Sequence, residues 1–195
     1  MALIYLSLGS NIDRHLRIEA ALDALSNEFG ELLLSPVYES DSVGFEGDNF
    51  YNLVVGIHSV KSVGDLSLIL KAIENENGRD RTAARFGPRS LDIDILTVDA
   101  ICGQRDGIEL PRDEILKNAF VLLPMSKLAP HVLHPKTGKT YAEHWEQYDK
   151  SKQNLWVVEF IWRGQQLLNW FNLKTVWASA INSYCLACHV GRLNR

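Results

Sequence analysis

The stretch GRDRTAARFGPRSLDIDIL, Gly78 to Leu96, joins a loop rich in cations to a short apolar run that carries two carboxylates. Leu91, Ile93 and Ile95 alternate with Asp92, Asp94 and Leu96, the period of two that marks a strand, so both aspartates are expected on one face. Two residues along a strand span about 6.5 to 7 Å. Carboxylates so spaced can hold one or two hard cations and leave positions open for phosphate oxygens. Upstream, Arg79, Arg81, Arg85 and Arg89 crowd into residues 79–89, and a guanidinium fork matches phosphate geometry. Between the two parts, Pro88 fixes φ and Gly87 permits an otherwise strained turn. Taken singly, an Asp-x-Asp pair also suits an ion-paired strand edge and an arginine cluster also suits a solvated face. The composite is far more specific.

At 195 residues and 22.0 kDa the chain suits one domain with a core large enough to fold alone. A net charge of -4 argues against a surface that coats nucleic acid, so local basicity points to a small anionic ligand. The N-terminus MALIYLSLGSN has no basic segment and too short an apolar run for a signal peptide, and no stretch of about 18 apolar residues occurs. A cytoplasmic protein with no membrane partner is expected. Cys102, Cys185 and Cys188 are too few and too uneven for a disulfide framework.

In order, Leu3 to Leu8 reads as a buried strand turning at Gly9-Ser10-Asn11. A helix follows with Asn11 as N-cap, Gly30 as its stop, and Ile12, Leu16, Ala20, Leu22 and Leu25 as its apolar stripe. Leu32 to Tyr38 and Phe50 to Ile57 read as two more strands. The polar connection between them, Ser40 to Asn49, could fold over a ligand. Ser62 and Asp65 open a helix through Leu66, Ile69, Leu70 and Ile73 that ends near Asn77-Gly78. Glu74 falls in its last turn, where a carboxylate opposes the helix dipole and a solvated position is the simplest reading. Asp99 to Glu109 suggests a small hairpin. A helical stretch through Ala119, Phe120, Leu122 and Leu123 is then ended or bent by Pro124. Strands alternating with helices through hairpin-compatible connections fit an α+β or α/β sandwich.

The run Arg85 to Leu96 resembles the signature of the 6-hydroxymethyl-7,8-dihydropterin pyrophosphokinase family, folate-pathway enzymes that move pyrophosphate from ATP to a pterin alcohol. The resemblance covers most of residues 2 to 160 and leaves 161–195 as an extension. It implies an α+β, ferredoxin-like α/β sandwich with a mostly antiparallel sheet and flexible active-site loops. By this resemblance Asp92 and Asp94 hold two Mg²⁺ ions on ATP, and Arg79, Arg81 and Arg89 act on the phosphates. The pterin falls to Ser40, Val43, Phe50, Asn52, Phe86 and Phe120, and the nucleotide to Glu74, Arg81, Arg89 and Arg112. Partners are then small molecules, with monomer or homodimer left open. An aromatic ring stacks on a flat heterocycle and an amide both donates and accepts at its edge, which is why these residue types suit a pterin. Core packing for Phe50 and Phe120, and a strand-end contact for Asn52, are what the residues alone would suggest.

The chain departs from the family pattern at Arg112, Asp113 and Asn118. Arg112 offers a forked cation to phosphate. Asp113 cannot do so, and an acid near a triphosphate costs energy unless it meets a cation. Two other motifs are set aside. Gly138-Lys139-Thr140 lacks the first glycine of a P-loop. Cys185, Cys188 and His189 have the spacing of a c-type haem attachment, which requires export. Beyond residue 161, Leu167, Trp170, Phe171, Lys174, Trp177 and Ile181 fall at helical spacing. Two rival functions remain open. A two-metal nucleotidyltransferase would release pyrophosphate instead of AMP. An altered paralogue would bind pterin or nucleotide without turnover.

Overall fold

The computed structural model describes residues 1–42, 47–78 and 90–167. Strand β1 (Ala2–Ser10) leads to helix α1 (Arg14–Phe29), then β2 (Leu33–Leu34), β3 (Tyr38–Ser40) and β4 (Phe50–Ser59). Helix α2 (Val63–Glu76) precedes β5 (Asp92–Val98) and a hairpin of β6 (Gly103–Arg105) and β7 (Ile108–Leu110). Helices α3 (Glu114–Lys117), α4 (Ala119–Leu128) and α5 (Tyr141–Gln147) follow. Short strands β8 (Leu155–Val157), β9 (Ile161–Trp162) and β10 (Gln165–Gln166) close the described chain. The main sheet runs β5-β1-β4-β3-β8, with β2 also on β4, and its pairs are antiparallel. The order β5-β1-β4-β3 is the split βαβ of a ferredoxin-like α+β fold, extended by β8. Among the described residues no helix is long and apolar enough to cross a membrane.

Each sheet face has its own core. Ile4, Leu6 and Leu8 of β1, Leu53, Val55 and Ile57 of β4 and Ile93 and Ile95 of β5 meet the apolar sides of α1 and α2. Tyr5, Val54 and Leu96 on the opposite face meet Val121, Leu122, Met125 and Leu128 of α4 and Tyr141 of α5. A two-helix fold of this kind buries one sheet face; here α4 and α5 cover much of the other and leave open the end that carries Asp92.

Several expectations need correction. Helix α1 starts at Arg14, not after Asn11: Asp13, at φ 47, precedes it and makes no side-chain cap bond, while Asn11 Nδ2 donates to Asp48 O at 3.2 Å. The buried stripe is Ile18, Ala21, Leu22 and Leu25, leaving Ile12 40% and Leu16 60% exposed. The strand expected over Leu32 to Tyr38 divides into β2 and β3 because Pro36 has no N–H to give the ladder. Ser35 bridges the break, its N–H donating to Val54 O and its Oγ accepting from Val54 N at 2.9 Å. Of the two roles expected for Pro124, ending or bending the helix, the first does not hold: α4 runs through it to Leu128. Burial of Val121, Leu122, Met125 and Leu128 outweighs the cost of about 3 kcal/mol for an interior proline.

Other readings match. The hairpin turns at Asp106-Gly107, both at positive φ, the geometry that suits the twist of two paired strands. Asp106 Oδ2 also accepts from Gly64 N at 2.8 Å, tying the hairpin to α2. Ser62 caps α2 by accepting from Asp65 N. Gly138-Lys139-Thr140 follows a turn at residues 135–137, where His134 N donates to Lys139 O and Thr140 bridges to Leu133 before opening the Thr140–Glu143 capping box of α5. Phe160 is fully buried and stacked on His15. The β9–β10 hairpin is held to α1 by Trp162 and Arg163, both donating to Asp23 Oδ1. Of the tail residues at helical spacing only Leu167 is described, packed against the first core. Trp170 to Ile181, and Cys185, Cys188 and His189, lie outside the described residues.

Candidate active site

Cross-strand register assembles the site. Asp92 of β5 stands opposite Gly9, Gly9 opposite Asn52, and Asn52 opposite Tyr38. Asp94 stands opposite Ser7, one pleat along, and Ser40 opposite Phe50. With neighbouring strands about 4.8 Å apart, Asp92 and Asn52 are about 10 Å from each other across the sheet. Alternation from Val54 and Leu96, which belong to the second core, sets Asp92, Asp94, Gly9, Asn52, Phe50, Ser40 and Tyr38 on one face. Phe120 on α4 packs against the core beneath that same face. Gly9 lies beside both Asn52 and Phe50: a Cβ there would make ordinary contacts, 3.6 Å from Asn52 Oδ1 and 4.0 Å from the Phe50 ring.

The Asn52 end is enclosed. Ser40 and Asn52 are 3% and 6% exposed, and Asn52 Nδ2 donates to Ser40 Oγ at 3.0 Å. Fixing the amide nitrogen this way fixes which way the carbonyl oxygen points. Burial pushes the Tyr38 phenol up to about 12, so it stays a neutral donor and acceptor. The opposite sheet face braces the Ser40 to Asn49 connection. Arg14 Nη1 meets Glu39 Oε1 at 2.7 Å and Asn49 O at 3.0 Å, and Asn49 Nδ2 donates to the same Glu39 oxygen. Burial alone would raise the Glu39 carboxyl. Hydrogen bonds from Asn49 and Arg14, the Arg14 charge and the Trp156 indole outweigh burial and hold it below the ordinary value.

The Asp94 end is open and charged. A cavity of about 220 Å³ lies along β5, lined by Ser67, Leu70, Lys71 and Glu74 of α2, by Asp92, Ile93, Asp94 and Ile95, and by Ile108 and Arg112. Arg112 Nη2 sits 3.2 Å from Asp94 Oδ1 and also pairs with Glu114. The residue after Arg112, Asp113, pairs with Lys117 at 3.1 Å, whose hydrogen bond and charge hold its carboxyl below the usual range. The acid that sequence reasoning set against a triphosphate is thus met by a neighbouring ammonium. Asn118 precedes α4, and its Oδ1 accepts from Gln153 Nε2. A bulge in β5, where Leu96 and Thr97 together oppose Tyr5, adds local twist beyond Asp94. Arg112 is fixed beside it by its N–H, which donates to Leu96 O.

Glu74 is not solvated. It is 3% exposed and its Oε1 accepts from Ile93 N at 2.8 Å. The Ile93 amide on the outer edge of β5 would otherwise lack this acceptor, and satisfying it outweighs the small penalty of a carboxylate in the last helical turn. Lys71 and Ser67 on the cavity and the Arg14–Glu39 brace went unnoticed in the sequence, and Gly9, read there as part of a turn, lies within β1, which runs on to Ser10. Ser67 stands four residues before Lys71 and Lys71 three before Glu74, and all three line the cavity, a helical spacing that was the available signal. Ser10 Oγ donates to Ser90 O and so ties β1 to the residue following the arginine loop. Val43, Arg79, Arg81, Phe86 and Arg89 lie outside the described residues.

As a donor set for a cation, Asp92 and Asp94 supply hard oxygens from one face, each partly exposed on an open cavity, which suits Mg²⁺ that keeps its remaining positions for phosphate and water. Among the described residues no cluster of three or more His, Cys, Asp or Glu forms a closed metal cage.

The model of the 7,8-dihydro-6-hydroxymethylpterin-pyrophosphokinase family matches residues 5–130. The chain belongs to this pyrophosphokinase family. Among pyrophosphokinases it is similar to the 2-amino-4-hydroxy-6-hydroxymethyldihydropteridine pyrophosphokinase of Porphyromonas gingivalis, with 41% identity over 142 residues, 70% of this chain and 96% of that one. The Aquifex aeolicus pyrophosphokinase is 37% identical over 146 residues, 73% of this chain and 90% of that one. Of solved structures, a Plasmodium falciparum HPPK-DHPS matches with a TM-score of 0.59 at 15% identity, covering 78% of this chain. That likeness speaks for the fold alone, and this chain spans 45% of that larger one.

Proposed function

We propose that this chain transfers pyrophosphate from ATP to 6-hydroxymethyl-7,8-dihydropterin, releasing AMP, as an enzyme of folate biosynthesis. The observation that carries the reading, beside family membership, is the register row that sets Asp92 and Asp94 on the same sheet face as the Ser40–Asn52 pair. Residues 1–160 carry the reaction, with 161–195 an extension, and the cytoplasm is the expected compartment.

The pterin edge is read by Asn52, whose amide is oriented by Ser40, and its ring lies between Phe50 and Phe120, with Val43 and Phe86 closing over it. Asp92 and Asp94 hold Mg²⁺, two ions in the full complex. Bound metal supplies charge neutralisation on the ATP phosphates. Arg79, Arg81, Arg89 and Arg112 stabilise charge on the transferring group, with Glu74 holding the edge of β5 in place for the nucleotide. The pterin hydroxymethyl oxygen attacks the β-phosphorus in line, its proton passes to solvent, and AMP leaves. No side chain among the described residues stands out as a general base, so positioning supplies most of the rate.

The test is AMP formation from ATP with hydroxymethyl-dihydropterin, comparing the chain with Asp94→Ala. AMP that depends on Asp94 supports the reading. Release of pyrophosphate instead would mark a nucleotidyltransferase, and pterin binding without turnover would mark an altered paralogue. The ion pair between Asp94 and Arg112 is the observation that keeps the paralogue in play, because it places a cation on a carboxylate the reaction needs.

A further inference from the structure

Arg112 is held at both ends. Its N–H donates to Leu96 O at 2.9 Å, which fixes its backbone beside β5. Its guanidinium serves two carboxylates at once: Nη2 reaches Asp94 Oδ1 at 3.2 Å and Glu114 Oε1 at 3.4 Å, and Nε reaches Glu114 Oε2 at 3.3 Å. A divalent cation approaching Asp94 therefore meets a positive charge already seated on that oxygen. The arrangement is lopsided in a useful way. Letting go of Asp94 costs Arg112 one contact, because Glu114 keeps hold of the fork. The side chains of Arg112 and Asp94 are 32% and 39% exposed, so the contact is weak enough to be exchanged.

We propose that Arg112 competes with the divalent cation for Asp94, so that metal enters with the nucleotide rather than ahead of it. Phosphate oxygens offer the guanidinium a bidentate partner at least as good as the carboxylate it gives up. Arg112 is then a positioning residue that couples the two ligands, and because such coupling is reciprocal, metal tightens nucleotide binding by the same factor. The inference rests on the reading of Asp94 as a metal ligand.

Binding of Mn²⁺ without nucleotide, followed by electron paramagnetic resonance, tests it. Arg112→Gln should bind Mn²⁺ about fivefold more tightly than the unmodified chain, the scale of a partly exposed ion pair. Lys71→Gln removes another cation from the same cavity and reports the general field alone. A gain in Arg112→Gln no larger than that in Lys71→Gln overturns the proposal. Asp94→Asn separates the two levels of the argument: if it binds Mn²⁺ as tightly as the unmodified chain, the metal assignment itself has failed. The nitrogen-15 resonance of Arg112 Nε gives a second readout in the unmodified chain, independent of how any variant folds. It should move on saturation with Mg²⁺ alone, and a resonance that ignores Mg²⁺ overturns the proposal.

Discussion

The two ends of the site face are built on different principles. At the Asn52 end the polar groups are buried and bonded to each other, Ser40 to Asn52, with Tyr38 in the same row. At the Asp94 end Asp94, Arg112 and Glu114 are charged, 32–45% exposed, and joined through one shared guanidinium. A flat neutral heterocycle is best read by donors and acceptors that are already in place, since an unmade buried hydrogen bond costs about 1–3 kcal/mol. Phosphates and cations arrive with charge of their own, so the residues that meet them must be able to trade partners. One end is preorganised and the other is exchangeable.

The strongest way to break the contrast is Asp94→Ala. AMP formation should fall about 10³-fold or more, as when a charge-stabilising group is removed from a phosphoryl-transfer site, while the KM for pterin stays close to that of the unmodified chain. A parallel rise in pterin KM would mean that the two ends are not separable. Next comes Asn52→Ala. Steady-state kinetics should show the pterin KM raised about tenfold or more, with little change in the KM for ATP. Glu74→Ala probes the scaffold beneath the exchangeable end. Losing the acceptor of the Ile93 amide should lower stability in urea unfolding by about 1–3 kcal/mol, and Glu74→Gln, which keeps an acceptor, should recover most of it.

The smallest effect lies away from both ends. Burial first, then the charges of His144 and Lys136, hold His134 below the ordinary imidazole value of 6.5. Burial first, then Lys139, does the same for His144. Their rings are 5.6 Å apart. A depressed imidazole favours the folded state when neutral, so this contribution is fully present above pH 6.5 and is lost as pH falls through the folded values. Unfolding midpoints measured from pH 7.5 down to 5 should decline, and His144→Gln should flatten the decline without altering the AMP assay at pH 7.5.

Much of this was legible in the sequence. The alternation around Asp92 and Asp94, the capped start of α2 and the Asp106-Gly107 hairpin are local patterns, and local patterns fix local structure. Glu74 was misjudged although it stands four residues after Leu70 on the buried side of α2. The stripe places it inward, but only the tertiary fold supplies the Ile93 amide that makes a buried carboxylate tolerable. The start of α1 failed for a similar reason. Asn11 suits an N-cap, yet its side chain is drawn to Asp48 O across the fold. The pairing of Arg112 with Asp94 joins residues eighteen apart, and no periodicity reports it. What sequence supplied were the parts, while register and long-range pairing decided which parts meet.

The strand bearing the two aspartates is one of the two outer strands of the main sheet among the described residues, and an uncovered strand edge is a template onto which a second molecule can zip. Glu74, by occupying the Ile93 amide, denies that edge one of its docking points and adds a charge that a newcomer would have to displace. With that amide occupied the edge offers one donor fewer, and Glu74→Ala should raise light scattering at high concentration as well as lower stability.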